Sequence, residues 1–114
     1  MLASEFHLSG KQNFERVLGQ GHFFQVESFG LAFFDRRDGG SSKYGFIVSN
    51  KVSKEAVQRN RIKRALSEAV RFIAQEVKPG LDVVFLAKQT STKMPTDAIM
   101  REVKEAFGKT GLLK

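Results

Sequence analysis

The sequence predicts one small mixed domain in which helices and strands are interleaved. Three observations point there. The 114 residues suit a single core and leave little room for a second. Segments with apolar residues at helical spacing are separated by segments with strand character. "LDVVFLAK", residues 81–88, is a nearly continuous apolar run of strand length, as expected for a strand covered on both faces.

The elements follow in order. In "LSGKQNFERVLGQG", Ser9 and Gln12 have the spacing of a capping box, and Phe14, Val17 and Leu18 fall at helical spacing. A short helix is expected from about Lys11 to Leu18, stopped by Gly19 and Gly21. "HFFQVESFGLAFFDRR" is aromatic and alternating: Phe29, Leu31 and Phe33 share one face, and Gly30, Ala32 and Phe34 the other. "DRRDGGSSK" reads as a polar loop and "YGFIVSN" as a second strand, so the two strands are expected to form an antiparallel hairpin with a long connection. Ser53 is the expected N-cap of a long helix reaching about Val77, where Lys78-Pro79-Gly80 ends it. After the apolar strand, "QTSTKMP" reads as a loop. A last helix is expected from Asp97 to Phe107, capped by Thr96 and closed by Gly108, with Ile99, Met100, Val103, Ala106 and Phe107 as its stripe. There are no repeats and no linker-like tracts, so residues 1–114 are expected to form one domain.

Charge narrows the function. The net charge is +7, which in a small domain favours a polyanionic partner. Between Lys51 and Arg71 lie seven Lys and Arg against two acids, a net of +5 out of the chain's +7. There is no Cys, so disulfides and thiolate metal sites are excluded, and this suits the cytoplasm. No apolar run is long enough for a membrane helix, and the first residues lack the pattern of a signal peptide.

A helical wheel explains why cations and apolar residues share the segment "AVQRNRIKRALSEAVR". At about 100° per residue, Ile62, Ala65, Leu66, Ala69, Val70, Ile73 and Val77 share one side. Arg61, Arg64, Glu68 and Arg71 lie opposite, with Asn60 nearby; Arg59 and Lys63 point toward the edge of the apolar stripe in the first turns. One face anchors the helix and the other presents guanidinium groups, which can grip phosphate oxygens two at a time. The plain alternative is a solvated face with an Arg64–Glu68 pair, worth a few tenths of a kcal/mol.

The inventory for catalysis is poor. His7 and His22 are the only histidines, and Asp35 and Asp38 flank Arg36-Arg37 in a glycine-rich loop. "GQGHFF" follows a helix rather than a strand, so it is not a phosphate-binding loop. No nucleophile–base pair stands out, and no catalytic residue is expected in this chain. On charge alone, a general RNA-binding module and a helix that reads duplex DNA both remain open.

The basic segment, with Arg59-Asn60-Arg61 followed by Lys63-Arg64, resembles the signature of the bacterial ribonuclease P protein component. "NFERVL" resembles that family's first helix, "YGFIVSNKVSKEAV" its middle strand and the turn into the basic helix, and "GLDVVFLAK" its last strand. The likeness runs from about Leu8 to the C-terminus. It implies an α+β two-layer sandwich of order α-β-β-β-α-β-α, with an unusual left-handed crossover through the basic helix. It also implies a protein subunit that does no chemistry itself. In such an assembly a large RNA subunit holds the Mg²⁺ ions that hydrolyse precursor tRNA at the mature 5′ end. The protein docks its basic helix on that RNA and holds the precursor's 5′ leader in a cleft between the first helix and the sheet.

By this resemblance Lys51, Lys54, Arg59, Asn60, Arg61, Lys63, Arg64 and Arg71 are the expected RNA contacts. Phe14, Phe34, Ser49 and Lys88 are the expected leader contacts. A single-stranded leader needs a cationic groove and flat faces for its bases, and eleven Phe residues offer more rings than a small core requires. For any single Phe the alternative is core packing. This chain departs from the family pattern at Leu18, where a second aromatic is common, at Ala32, for which Phe34 would substitute, at Asn50, where Lys is usual, and at Ser67, where a basic residue is frequent. Sites for metal on the protein and the oligomeric state are left open.

Overall fold

In the computed structural model, which describes residues 2–114, the apolar run after Gly80 forms the centre of the molecule. The elements are α1 (Lys11–Gln20), β1 (His22–Gln25), β2 (Phe29–Asp35), β3 (Lys43–Ile47), α2 (Ala56–Ile73), β4 (Leu81–Ala87) and α3 (Thr96–Lys109). Four strands form one sheet in the order β1-β2-β4-β3. The first five residues of β4 are buried, as its apolar character on both faces requires.

The expected β2–β3 hairpin does not form. β2 pairs antiparallel with β1 on one side and with β4 on the other, and β3 runs parallel to β4 at the sheet edge. Alternation identifies strands but not their neighbours. The strand with the most apolar surface took the slot between β2 and β3, so the parallel β3–β4 connection passes through the basic helix α2. The glycine-rich loop carries the chain past the end of β4: Arg36 N–H donates to the Gly80 carbonyl, and Gly80, at φ +79°, donates to that of Gly40.

Register fixes the two faces of the sheet. Phe29, Leu31, Tyr44, Val83 and Phe85 face α2 and α3 and form the larger core with Ile62, Leu66, Val70, Ile99, Val103 and Phe107. Phe85 stacks between Phe46 and Phe107 at 5.3 and 6.0 Å, with Phe29 edge-on at 5.2 Å. On the opposite face α1 lays the fully buried Val17 against a cluster containing Ala32, Val84 and Leu8.

Several helix ends differ from expectation, each for a local reason. The cap of α1 is Gly10 at φ +89°, so Ser9 sits one residue too early for a capping box and instead accepts a bond from Asn13 Nδ2 through its carbonyl. Gly19 is helical; Gly21 ends the helix, where a Cβ would lie 2.5 Å from the Phe33 carbonyl oxygen. The cap position of α2 is Glu55, and the Ser53 hydroxyl accepts the Glu55 N–H in a turn before it. That helix stops at Ile73 and a 3-10 turn leads to Val77, still buried and bridged to Leu113. A second 3-10 turn spans Gln89–Lys93, where a loop was expected. Helix α3 continues through Gly108 to Lys109, and Gly111 at φ +75° follows its end. Pro95, not Thr96, is at the cap of α3, and the Thr96 hydroxyl accepts from Arg61 Nη1 at 3.3 Å.

Candidate nucleic-acid interface

Helix α2 has the two faces that its sequence requires. Ile62, Ala65, Leu66, Ala69, Val70 and Ile73 are buried, and so is Ser67, whose hydroxyl donates to the Arg64 carbonyl at 3.2 Å. Lys51, Lys54, Asn60, Lys63, Arg64 and Arg71 are exposed, while Arg59 and Arg61 are half-buried.

The cations divide into two groups. The side chains of Lys51, Lys54, Lys63 and Arg64 make no hydrogen bond or ion pair among the described residues. Arg59, Arg61 and Arg71 are engaged. Arg59 Nη1 donates to the Ser53 carbonyl at 2.9 Å and ties the turn to the helix. Arg61 is a clamp: its Nη atoms donate to the carbonyls of Ser91, Thr92 and Met94 and to Thr96 Oγ1 at 3.1–3.4 Å, and its Nε to Gln58. Three carbonyls of the segment between β4 and α3 and the hydroxyl of the first residue of α3 thus converge on one guanidinium. None of them is a carboxylate. Arg71, rather than Arg64, pairs with Glu68, at 2.8 Å, and lies over the Phe72 ring at 4.8 Å.

The second candidate surface is the sheet face beside α1. Phe14, Leu18, Ile47 and Leu86 are half-buried there. Phe14 lies against the bare backbone of Gly45, where a Cβ would come within 2.5 Å of the ring. Lys88 Nζ donates to the Val26 carbonyl at 2.6 Å, and Ser49, two residues beyond β3, is exposed toward the same end of the sheet. Phe34 does not join them. It pairs in register with Asp82, and Lys88 lies six residue steps further along the chain, roughly 20 Å of strand. Its ring instead carries the Arg16 guanidinium at 5.2 Å. Phe14 lies between the two ends, so the four expected leader residues share a face but not one cluster.

Sequence reasoning missed the group that fastens this face. Asp82 is 1% exposed and accepts from Arg16 Nη2 at 2.7 Å and from Arg36 Nη1. Arg36 also donates to Asp38, at 2.9 Å, and to the carbonyls of Leu81 and Ser41. Its basicity is raised, first by the Asp38 hydrogen bond against the opposing effect of burial, then by Asp82; Asp38 is held below its ordinary value by Arg36 and by the Gly40 N–H. The signal was available: an aspartate at the start of an apolar strand must find a cation if it is buried. Among the described residues no three His, Asp or Glu side chains gather where they could hold a metal ion.

Fold and surfaces together define a small basic α+β protein whose longest helix is anchored on one side and cationic on the other. The family model described as Ribonuclease P matches residues 2–111, and the chain belongs to that family. A ribonuclease P protein component from Synechocystis sp. is 29% identical over 112 residues, covering 98% of this chain and 90% of that one. The one from Symbiobacterium thermophilum is 32% identical over 109 residues, covering 96% and 94%. Among solved structures, the Staphylococcus aureus RNase P protein superposes with a TM-score of 0.87 at 22% identity, over 96% of this chain and 98% of that one. The Thermotoga maritima RNase P protein, in complex with 1-(4-fluorophenyl)-2-thiourea, gives 0.78 at 20% identity, over 88% and 95%. These structures share the mixed fold of helices on a four-stranded sheet.

Proposed function

We propose that this chain is the protein subunit of ribonuclease P, a single RNA-binding domain that assists removal of the 5′ leader from precursor tRNA in the cytoplasm. The observation that carries the reading is the state of α2. Its apolar stripe is sealed in the core, while Lys63 and Arg64, with Lys51 and Lys54 before the helix, have no partner among the described residues. Charges held on a rigid rod, with no competing carboxylate, are suited to phosphates of a folded RNA. Asn60 adds an exposed amide between them.

The leader is proposed to lie on the sheet face beside α1. Phe14 and its neighbours Leu18, Ile47 and Leu86 offer a half-exposed apolar floor, and Lys51, Lys88 and Ser49 lie toward one end of it. Stacking and cation placement of this kind bind a single strand without reading its sequence. In this reading the hydrolytic chemistry belongs to the RNA subunit and the Mg²⁺ ions it holds, and the chain's own residues bind and orient.

The test is cleavage of a precursor tRNA by a bacterial ribonuclease P RNA at low Mg²⁺, with and without the protein. Stimulation is expected. No stimulation refutes the reading. No helix among the described residues is long and apolar enough to cross a membrane.

A further inference from the structure

The outer side of α2 carries a feature that phosphate binding does not use. Val57 is 77% exposed and Phe72 66%, and with Phe23 they are the exposed large apolar residues of the described chain. They are the two ends of one stripe, 57-61-64/65-68-72, which follows helical spacing along the whole of α2. Against it Thr96 and Met100 of α3 form a second wall, and the two enclose a groove of about 700 Å³. Along its axis the apolar points Val57, Ala65 with Met100, and Phe72 recur roughly every 10–12 Å at 1.5 Å per residue. Arg64 lies between them, and Arg71 is stacked on Phe72.

We infer that this groove receives a short unpaired stretch of the RNA subunit, its bases packing on Phe72 and the Ala65–Met100 floor and its phosphates meeting Arg64 and Arg71. The inference rests on the proposed function and names the kind of RNA that α2 engages: single-stranded nucleotides with exposed bases, in addition to duplex phosphates. Alternating flat apolar surface and cations is the arrangement that single strands bind, because every base has a face to stack and every linkage a charge. A second copy of this chain fits poorly. Arg61 and Arg64 line the groove and Glu68 is the only acid in the lining, so a two-fold contact between copies would gather more cations than acids. A helix of another protein would have to be strongly acidic to meet the same rim.

The experiment measures affinity of the full chain for a bacterial ribonuclease P RNA across a salt series, for the parent protein and for Phe72→Ala, Phe72→Trp, Val57→Ala/Phe72→Ala and Arg64→Glu. Phe72→Ala is expected to lose about fivefold or more in affinity, the double variant more, and Phe72→Trp little. The dependence of log affinity on log salt is expected to stay unchanged in the Phe72 variants, because no phosphate contact is removed, and to flatten in Arg64→Glu. Circular dichroism checks that the variants, altered only at exposed positions, remain folded. If Arg64→Glu weakens binding while Phe72→Ala stays within about twofold of the parent, the groove assignment fails and the proposed function stands. If neither variant weakens binding, the proposed function fails with it. Intact RNA affinity together with loss of a concentration-dependent dimer in Phe72→Ala would assign the groove to self-association and overturn the inference.

Discussion

Arg16 and Asp82, sixty-six positions apart, meet at 2.7 Å where helix α1 crosses the sheet. Asp82 is almost fully buried, and its second oxygen is taken by Arg36. One carboxylate thus fastens α1, the start of β4 and the glycine-rich loop to one another. A pair of this kind adds little over an apolar replacement of the same shape, but losing one partner is costly because the others keep their charge. Asp82→Asn is therefore expected to destabilise the fold by about 3 kcal/mol, read as a lower urea midpoint. A change under about 1 kcal/mol would show that Arg16 and Arg36 simply turn to solvent.

Arg61 and Arg64 are three residues apart and are expected to behave oppositely. Arg61 spends its donors on the carbonyls of Ser91, Thr92 and Met94, so Arg61→Ala is expected to lower stability by about 1.5–3 kcal/mol, the range for hydrogen bonds from a charged donor. Its effect on RNA would come through loosening of the segment between β4 and α3. Arg64 has no such partners among the described residues, so Arg64→Ala should leave the melting temperature within a degree or two (about 0.5 kcal/mol) and weaken RNA binding most at low salt. Thermal melts and salt titrations of both variants separate the roles, and equal melting temperatures would remove the distinction.

Phe14 is proposed as a stacking platform, and Gly45 controls where its ring lies. Phe14→Ala is expected to reduce affinity for a precursor carrying a leader by roughly 5- to 100-fold, the value of one stacked base, and to affect mature tRNA far less. Gly45→Ala makes a second test that keeps the ring: the added methyl meets it at 2.5 Å and must displace it. The same preferential loss of leader affinity is expected. Equal loss on precursor and mature tRNA in both variants would make Phe14 a packing residue.

Much of this was legible in the sequence, for reasons that differ by element. The buried stripe of α2 followed from spacing, because a long helix with one wet face has a single way to turn. The two faces of β2 followed from alternation. Strand order did not, since pairing partners are chosen by tertiary packing and β4 displaced β3 from β2. Helix ends were misplaced by one to four residues, because local turns that spacing does not show set them, as where the 3-10 turn at Ala74–Glu76 ends α2 short of Val77. Charge counting found the cationic segment but could not divide it: Arg61 and Arg64 read alike until the segment 91–96 was seen to fold over one of them. Phe34 was assigned to the leader because its side faces the right way, and only the register revealed that Asp82 and Arg16 hold it at the other end of the sheet.

Tyr44, the single tyrosine, gives the fold an alkaline limit. It is 2% exposed in the larger core, and burial pushes its phenol up to about 12. In the unfolded chain it ionises near 10, so between pH 10 and about 12 the unfolded state sheds a proton that the folded state retains. Stability is then fully present below pH 10 and falls by about 1.4 kcal/mol per pH unit across that window, on top of any loss from lysine titration. Tyr44→Phe removes this contribution while keeping the ring in the core. Urea unfolding at a series of alkaline pH values should show a steeper decline for the parent than for Tyr44→Phe, and tyrosinate absorbance should rise in the folded protein about two pH units later than in urea. Parallel declines, or a phenol that ionises near 10 in the folded chain, would mean that solvent reaches the hydroxyl.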